Sequence, residues 1–317
     1  MKNHENSLRA RMRHAWRAIR PRSGTDQQLA DLSARLARIE RQLESVHKIW
    51  LRTRHLEPAV QAVLRELYGV DRELPYPESL IARRFRLASQ NEEDGVTFAL
   101  LKEAGAATRT FVEIGSGLSG GNSAFLAREW GWRGLMVDGG GKRRMQQVGR
   151  RFPGVTAVNA WVTRDNIDEL VRTHGFAGEV DLFSLDLDGN DYWIWEAMRA
   201  CSPRIVVVEY NSMFGPDRAV TIPYDAQFDR RRHHKMYYGA SLAAWTRLAA
   251  AKGFRLVAVE PSGINAFFLR NDLAPQIPAS EPARLFRVQE KHDIWLAEGL
   301  DIYRYSEQTG LGLVDVG

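Results

Sequence analysis

Hydrophobic residues near the start of the chain follow a heptad rhythm. They recur in alternating steps of three and four at Leu29, Leu32, Leu36, Ile39, Leu43, Val46 and Trp50. That spacing is the a/d seam of a coiled coil, here sustained for about three heptads. The pattern predicts a helix over residues 27–52 that either joins copies of the chain or packs on the chain's own body, and we favour a homo-oligomer.

A second pattern begins at Thr110. Short β-rich runs alternate there with helical stretches: TFVEIG, GLMVDG, VTAVNAWV, DLFSLDLDG, PRIVVVEYN, FRLVAVE and INAFFLR. Runs that alternate with helices predict an α/β fold, a doubly wound and mostly parallel sheet covered on both faces. Only Pro-Ser-Gly separates the last two runs, which predicts an antiparallel hairpin at the edge of the sheet.

The two patterns divide the 317-residue chain into five segments. We predict a basic arm at 1–26, a coiled-coil helix at 27–57, a helical bridge or lid at 58–105, an α/β domain at 106–275, and a tail at 276–317 that packs on the domain. A chain of this length can bury one full α/β core and still leave residues for an appendage.

Charge is concentrated in the arm. The whole chain has a formal net charge of +5, but residues 1–25 alone carry seven Lys or Arg side chains and one Glu. The remainder is therefore close to neutral, and we do not expect it to bind nucleic acid. The arm is either a solvated tail or a peripheral contact with anionic lipid.

Cysteine usage and hydropathy favour a cytoplasmic protein. Cys201 is the only cysteine, which excludes a disulfide framework and a multi-cysteine zinc site. No apolar run approaches the roughly 20 residues that cross a bilayer. We therefore expect no transmembrane segment, and a location in the cytoplasm, with peripheral contact at the inner membrane face as a second option.

Candidate ligand chemistry starts after the first β-rich run. Gly115 and Gly117 permit a close approach of the backbone to a ligand, and with Gly120 they match the weak dinucleotide pattern G-x-G-x-x-G. The carboxylate of Glu113 would repel a pyrophosphate but attract the ammonium and sulfonium groups of S-adenosylmethionine. Asp138 ends the next run, about 20 residues downstream, where a carboxylate can accept hydrogen bonds from a ribose diol.

The third run ends near Ala160 and Trp161, where an adenine ring would lie. Trp161 either stacks on that ring or is a core residue. Asp186 and Asp188 follow the fourth run, and Glu209 follows the fifth, so parallel strands would bring them together. These carboxylates either take part in the reaction, or Asp186 and Asp188 instead cap the helix that starts near Tyr192.

These motifs resemble two groups of enzymes. Glu113-x-Gly115-x-Gly117 followed by Asp138 is similar to the cofactor motif of class I S-adenosylmethionine-dependent methyltransferases. Asp186-Leu-Asp188-Gly and Val-Val-Glu209 resemble the FkbM-type sugar and natural-product O-methyltransferases. The likeness covers residues 106–270; it departs from the FkbM pattern at 138–141, where Asp-Gly-Gly-Gly lacks Glu-Pro.

The resemblance implies a seven-stranded, Rossmann-like methyltransferase sheet with ligands at the carboxyl ends of its strands. It implies S-adenosylmethionine as the cofactor, bound by residues Glu113, Gly115, Gly117, Asp138, Ala160, Trp161 and Asp186. It also implies Mg²⁺ or another divalent cation, such as Ca²⁺, as an alternative means of activating the acceptor hydroxyl. The ligands of that metal would be Asp186, Asp188, Glu209 and Asn211.

Without a metal, a general base is needed, because the acceptor hydroxyl must lose its proton. The candidate bases are Asp188, Glu209 and His233. His233 lies in a long polar segment, residues 211–239, which also holds Arg230 to Arg232. Those arginines either bind an anionic group on the acceptor or form a solvated charge run.

The working hypothesis is O-methylation of a hydroxyl group on a sugar, a glycan precursor or a glycosylated natural product, as in polysaccharide biosynthesis. An NAD-dependent oxidoreductase is the first alternative, because the glycine spacing at 115–120 fits it. A non-catalytic coiled-coil assembly protein is the second. A nucleic-acid methyltransferase is not expected, since the body is near neutral and an Asn-Pro-Pro-Tyr string is missing.

Overall fold

The protein is described here from a computed structural model. The structure describes residues 74–316 and nine earlier residues, namely 32, 35, 36, 39, 42–44, 60 and 63. The chain divides into two compact units, Met1–Arg54 and His55–Gly317, and each is described by itself. The predicted basic arm at 1–26 lies outside the described residues. Within the described residues, no helix is both long and apolar enough to span a membrane.

In the first unit, the seven described residues between 32 and 44 are all helical. Four of them belong to the predicted apolar seam, and their side chains are 49–62% exposed: Leu32, Leu36, Ile39 and Leu43. The remaining seam positions lie outside the described residues. These four apolar side chains therefore stand on an exposed face of a helix.

The second unit is built on a seven-stranded sheet. Its strands are β1 (Thr110–Ile114), β2 (Arg133–Asp138), β3 (Val155–Asn159), β4 (Gly178–Leu185), β5 (Cys201–Glu209), β7 (Phe254–Val259) and β8 (Asn265–Arg270). They lie in the order β3-β2-β1-β4-β5-β8-β7. Strands β1 to β5 are parallel, whereas β8 is antiparallel to both β5 and β7. This is the Rossmann-like methyltransferase sheet that the resemblance implies, and the predicted edge hairpin is confirmed.

Helices cover both faces of the sheet. They are α1 (Glu78–Ala82), α2 (Glu93–Ala104), α3 (Ala124–Trp130), α4 (Lys142–Arg151), α5 (Ile167–Thr173), α6 (Asp191–Ala197), α7 (Leu242–Ala251), α8 (Pro282–Leu285), α9 (Glu290–Ala297) and α10 (Ile302–Thr309). Phe111 of β1 packs with α2, α3 and α4. Val112 and Ile114 pack with α5, α6 and α7 on the other face. Because neighbouring strand residues alternate between two buried layers, the doubly wound fold is confirmed.

Two regions beyond the strands and their crossover helices also join the body. The segment predicted as a bridge or lid supplies α1 and α2, whose Leu80, Val96 and Leu100 are fully buried against the sheet. The tail forms a third apolar cluster with residues of the 211–239 segment, including Phe214 and Ile302. A short antiparallel pair, β6 (Val220–Thr221) with β9 (Val314–Asp315), joins the same two regions.

A buried carboxylate fixes the entrance to β1. Asp181 of β4 is fully buried, and its side chain accepts hydrogen bonds from the backbone N–H groups of Ala107, Thr108 and Arg109 at 2.7, 3.0 and 2.5 Å. Three amides of one turn thus depend on one side chain. The position of this turn sets where β1 begins beside β4.

We expect Asp181→Ala to lower the free energy of unfolding by about 3 kcal/mol, because it leaves buried amides without acceptors. Urea denaturation measures this as a lower transition midpoint at an unchanged slope. The exposed Asp165→Ala serves as the control and should change stability by less than about 0.5 kcal/mol. Equal midpoints for the two variants would contradict the assigned role of Asp181.

Candidate functional site

The turn after β1 passes close to the end of β4. Gly115 has a φ of +86°, and a Cβ atom placed on it would lie 1.6 Å from the carbonyl oxygen of Asp186. Gly117 has a φ of +56°, but a Cβ there would meet no described atom nearer than 3.9 Å. Packing therefore requires glycine at 115, whereas Gly117 leaves open space beside the turn.

Glu113 lies beneath this turn. Its fully buried carboxylate accepts hydrogen bonds from the Ser184 hydroxyl at 2.9 Å and from the backbone N–H groups of Asn122 and Ser123 at 3.3 and 3.0 Å. Burial raises the pKa of Glu113 to about 7. The side chain therefore holds the turn from inside the protein, and its predicted contact with a cationic ligand stays a prediction.

A cavity of about 530 Å³ opens at the carboxyl ends of β1 to β4. Six of the seven predicted cofactor residues line it, all except Glu113: Gly115, Gly117, Asp138, Ala160, Trp161 and Asp186. The lining also includes residues that the sequence analysis did not single out, such as Gln90, Arg144 and Asn190. The fold thus gathers side chains from four strand ends around one space.

Asp138 joins two turns at the rim of this cavity. Its carboxylate accepts hydrogen bonds from the backbone N–H groups of Gly117 at 2.9 Å and Gly140 at 2.6 Å. The side chain remains 13% exposed, with Arg144 at 3.7 Å. Its predicted contact with a ribose stays a prediction.

Trp161 is 52% exposed, so it is not a core residue. Its indole N–H donates a hydrogen bond to the carbonyl oxygen of Ala226 at 2.8 Å, which ties it to the 211–239 segment. The ring also packs against the backbone at Gly139, where a Cβ would come within 2.9 Å of it. One aromatic surface is therefore available in the cavity.

Three carboxylates meet where β4 and β5 end. Oxygen atoms of Asp186, Asp188 and Glu209 all lie within 4.8 Å of one another. Burial and then the Glu209 charge raise the pKa of Asp186 well above its usual value. Burial and then Asp188 raise the pKa of Glu209 to about 8.

The capping alternative for Asp186 and Asp188 does not fit the geometry. Asp191, and not these two residues, organises the start of α6: its carboxylate accepts from the backbone N–H groups of Leu187 at 2.6 Å and Gly189 at 2.8 Å. Asp188 has a φ of +58°, in the left-handed region that disfavours side chains. Asp186 and Asp188 are thus left to face the cavity.

Arg230 is the cationic neighbour of the carboxylates. Its guanidinium forms an ion pair with Asp188 and donates to the carbonyl oxygen of Lys235 from Nε at 2.9 Å and from Nη2 at 2.7 Å. The guanidinium carbon lies 3.7 Å from the centroid of the Tyr238 ring, and the Tyr238 hydroxyl donates to Glu209 at 3.3 Å. By contrast, Arg231 pairs with Asp229 and is 87% exposed.

Two predicted site residues lie elsewhere. Asn211 is fully buried; its Nδ2 donates to the carbonyl oxygens of Met236 and Tyr238, and its Oδ1 accepts from the N–H of Met213. Its side-chain nitrogen and oxygen thus both have backbone partners. The ring of His233 stacks on Phe228 at 5.1 Å and does not line the cavities described here. These placements do not favour a metal-ligand role for Asn211 or a base role for His233, and both roles stay predictions.

A second pocket of about 180 Å³ adjoins the first. Gln90, Asp186, Asp188 and Arg230 line both spaces, so the two meet at the carboxylates. The second pocket also receives Ile264 and Glu209 and, from the tail and α9, Gln289, Lys291 and Trp295. The sequence analysis did not identify these tail residues, because no motif marks them. It predicted only that the tail packs on the domain.

No family model matches the chain, and no curated protein matches its sequence. Solved structures are similar to parts of it. The methyltransferase domain of bacterial CtHen1-C shares 15% identity over 56% of this chain and 97% of that chain, with a TM-score of 0.36. An S-adenosylmethionine-dependent methyltransferase from Clostridium acetobutylicum ATCC 824 shares 10% identity over 66% and 96% of the chains, with a TM-score of 0.35.

A third similar structure is an O-methyltransferase of neocarzinostatin biosynthesis, NcsB1, in complex with S-adenosyl-L-homocysteine and 1,4-dihydroxy-2-naphthoic acid. It shares 17% identity over 70% of this chain and 72% of that chain, with a TM-score of 0.33. All three similarities are at low identity and cover only part of this chain.

The buried acid beneath the turn predicts a pH-dependent stability. The pKa of Glu113 is about 7 in the folded protein against an ordinary value of 4.5. The folded state therefore keeps a proton that the unfolded chain has lost between these values, so stability falls as pH rises from 4.5 to 7. Glu113→Gln removes this titration.

Urea denaturation at pH 5 and pH 7.5 tests this expectation. The stability of Glu113→Gln relative to wild type should improve by about 3 kcal/mol between the two values. The exposed Glu298→Gln should keep the pH dependence of wild type. A constant difference between Glu113→Gln and wild type would show that the Glu113 carboxyl group does not carry this pH dependence.

Proposed function

We propose that the protein transfers a methyl group from S-adenosylmethionine to a hydroxyl group of a small polyhydroxylated acceptor. A sugar, a glycan precursor or a glycosylated natural product has that chemistry. One observation carries the proposal: a larger cavity at the carboxyl ends of β1 to β4 and a smaller polar pocket meet at Asp186, Asp188 and Arg230. A cofactor and an acceptor held in the two spaces would face each other across the carboxylates.

The residues of the larger cavity fit this cofactor. Gly117 leaves the turn open, Asp138 offers carboxylate oxygens at the rim, and Trp161 offers an aromatic surface beside Ala160. Asp186 and Asp188 bring carboxyl oxygens to the point where the cavity meets the pocket, where they can accept hydrogen bonds from a ligand. When bound, S-adenosylmethionine supplies an activated methyl group on its sulfonium.

The protein's own contribution is to position the acceptor and accept its proton. Asp188 or Glu209 would act as the base, since both carboxyl groups line the smaller pocket. The acceptor hydroxyl would give its proton to that carboxylate while its oxygen takes the methyl group that S-adenosylmethionine would supply, with S-adenosylhomocysteine as the product. Arg230 lies beside the carboxylates and favours negative charge on the reacting oxygen.

The smaller pocket favours a polar acceptor. Seven of its nine lining residues have charged or amide side chains, and only Ile264 and Trp295 are apolar. Its volume of about 180 Å³ is below the roughly 300 Å³ at which drug-sized pockets begin. A single hydroxylated ring, or the end of a longer acceptor, suits such a pocket, with Trp295 as a stacking surface.

A dinucleotide cofactor fits less well. Pyrophosphates bind the free N–H groups at a helix N-terminus. Here the N–H groups of Asn122 and Ser123, which follow the glycine turn, already donate to Glu113. The alternative of an NAD-dependent oxidoreductase, which the glycine spacing suggested, would thus lack two of the N–H donors near its pyrophosphate.

Isothermal titration calorimetry with S-adenosylmethionine, S-adenosylhomocysteine and NAD⁺ tests the cofactor. We expect micromolar binding of the first two ligands and a loss of at least tenfold in affinity in Asp138→Ala. The control is Asp272→Ala, because Asp272 follows the antiparallel β8 and so lies at the opposite edge of the sheet. Binding of NAD⁺ instead, or of none of the three ligands, would refute the methyltransferase proposal and favour the oxidoreductase or the assembly protein.

We further propose that copies of the chain associate through the 27–52 helix. The support is the exposed apolar face formed by Leu32, Leu36, Ile39 and Leu43. We place the proposed methyl transfer in the cytoplasm. As an additional proposal, the basic arm makes a peripheral contact with anionic lipid.

Sedimentation velocity on the full chain tests the oligomer. Leu43→Lys puts a charge on the seam and should shift the protein to smaller species at micromolar concentration. Glu44→Lys introduces the same side chain one residue away, off the a/d seam, and should sediment like wild type. If wild type itself sediments as a monomer, the helix does not join copies of the chain.

A further inference from the structure

We propose that Arg230 is the resident cation of the Asp186, Asp188 and Glu209 cluster, and that this site works without a divalent metal. The proposal rests on the proposed function, since it concerns how that reaction site is neutralised. It reverses the metal alternative that the family resemblance implies, in which four side chains hold Mg²⁺ or Ca²⁺.

The guanidinium of Arg230 is fixed on three sides. One nitrogen pairs with Asp188, while Nε and Nη2 share the carbonyl oxygen of Lys235 at 2.9 and 2.7 Å. The flat face lies 3.7 Å above the ring of Tyr238. The side chain is only 25% exposed and lines both cavities. A permanent positive charge is thus held at the point where the two spaces meet.

The donor set left for a metal is incomplete. Asn211, the fourth predicted ligand, has its amide nitrogen and oxygen bonded to backbone groups of Met236, Tyr238 and Met213. An oxygen of Asp188 already accepts from Arg230, and an oxygen of Glu209 accepts from the Tyr238 hydroxyl at 3.3 Å. Mg²⁺ and Ca²⁺ need about six or more oxygen ligands. Filling that shell here would require these contacts to break.

A divalent ion at the cluster would also sit beside Arg230. Both cations would share the Asp188 carboxylate, and their like charges would repel each other across a few ångströms. Arginine suits the position better than lysine, because its planar fork serves Lys235 and Asp188 at the same time and stacks on Tyr238. The guanidinium does not titrate in any ordinary pH range, so the cluster keeps this charge throughout catalysis.

Titration calorimetry of the EDTA-treated full chain with MgCl₂ and with CaCl₂ tests the proposal. Wild type should bind neither ion below about 1 mM, which is the weakest range of protein calcium sites. Arg230→Gln frees Asp188 and removes the repelling charge, so it should bind Ca²⁺ at least tenfold more tightly than wild type. Arg232→Gln is the matched control from the same 3₁₀ turn; it lines neither cavity, and should behave like wild type.

Arg230→Lys keeps the charge and should bind no more Ca²⁺ than wild type. Micromolar binding of Mg²⁺ or Ca²⁺ by wild type would overturn the proposal, and that measurement needs no variant to fold. An unchanged Ca²⁺ affinity in a folded Arg230→Gln would overturn it as well. The cofactor titration separates a failure of this proposal from a failure of the proposed function. If wild type binds both a divalent metal and S-adenosylmethionine, only the Arg230 proposal is refuted. If wild type does not bind S-adenosylmethionine, the proposed function is refuted.

Discussion

The structure depends on how it holds three carboxylates whose oxygens lie within 4.8 Å of one another. Parallel strands end at the same edge of a sheet, so Asp186, Asp188 and Glu209 are brought together by the fold itself. Three ionised groups at that distance would repel one another strongly in a partly buried place. Two effects relieve the repulsion: burial raises the pKa of Asp186 and of Glu209, which favours their protonated forms, and Arg230 pairs with Asp188.

Glu113 is a fourth acid at the same edge, and it has a different task. Along β1 it shares a face with Phe111, which packs against α2, α3 and α4, so its side chain points beneath the glycine turn. There it takes the N–H groups that a pyrophosphate would need. One acid thus lies beneath the turn and holds it, while the other three meet in front of it.

The fold and the location of the site were predictable from the sequence, because both follow from local patterns. The β-rich runs define the strands, and polar residues at the ends of consecutive parallel strands must meet. The roles of individual site residues were harder to predict from the sequence. The alternation along β1 contained the signal that Glu113 faces inward, but motif spacing alone suggested a ligand contact. Asn211 caps the 3₁₀ turn Ser212–Phe214, which the sequence analysis did not predict.

Residues supplied from a distance could not be predicted, and they explain why the tail belongs to the site. The segment that carries Arg230 has little regular structure of its own. It is held by the tail: the Tyr305 hydroxyl accepts from the N–H of His234 at 3.0 Å, and the Tyr237 hydroxyl donates to the carbonyl of Gly312 at 2.8 Å. The same tail places Trp295 in the smaller pocket.

One packing unit, the third apolar cluster, therefore fixes both the cation of the carboxylates and a wall of the acceptor pocket. A change in the tail that loosens this cluster would move Arg230 and Trp295 together. The position of Arg230 beside the carboxylates and the shape of the smaller pocket are consequently coupled, although the residues concerned lie far apart in the sequence. That coupling is a reason for the site to use a cation supplied by the chain, because the arginine is positioned by the same contacts that shape the pocket.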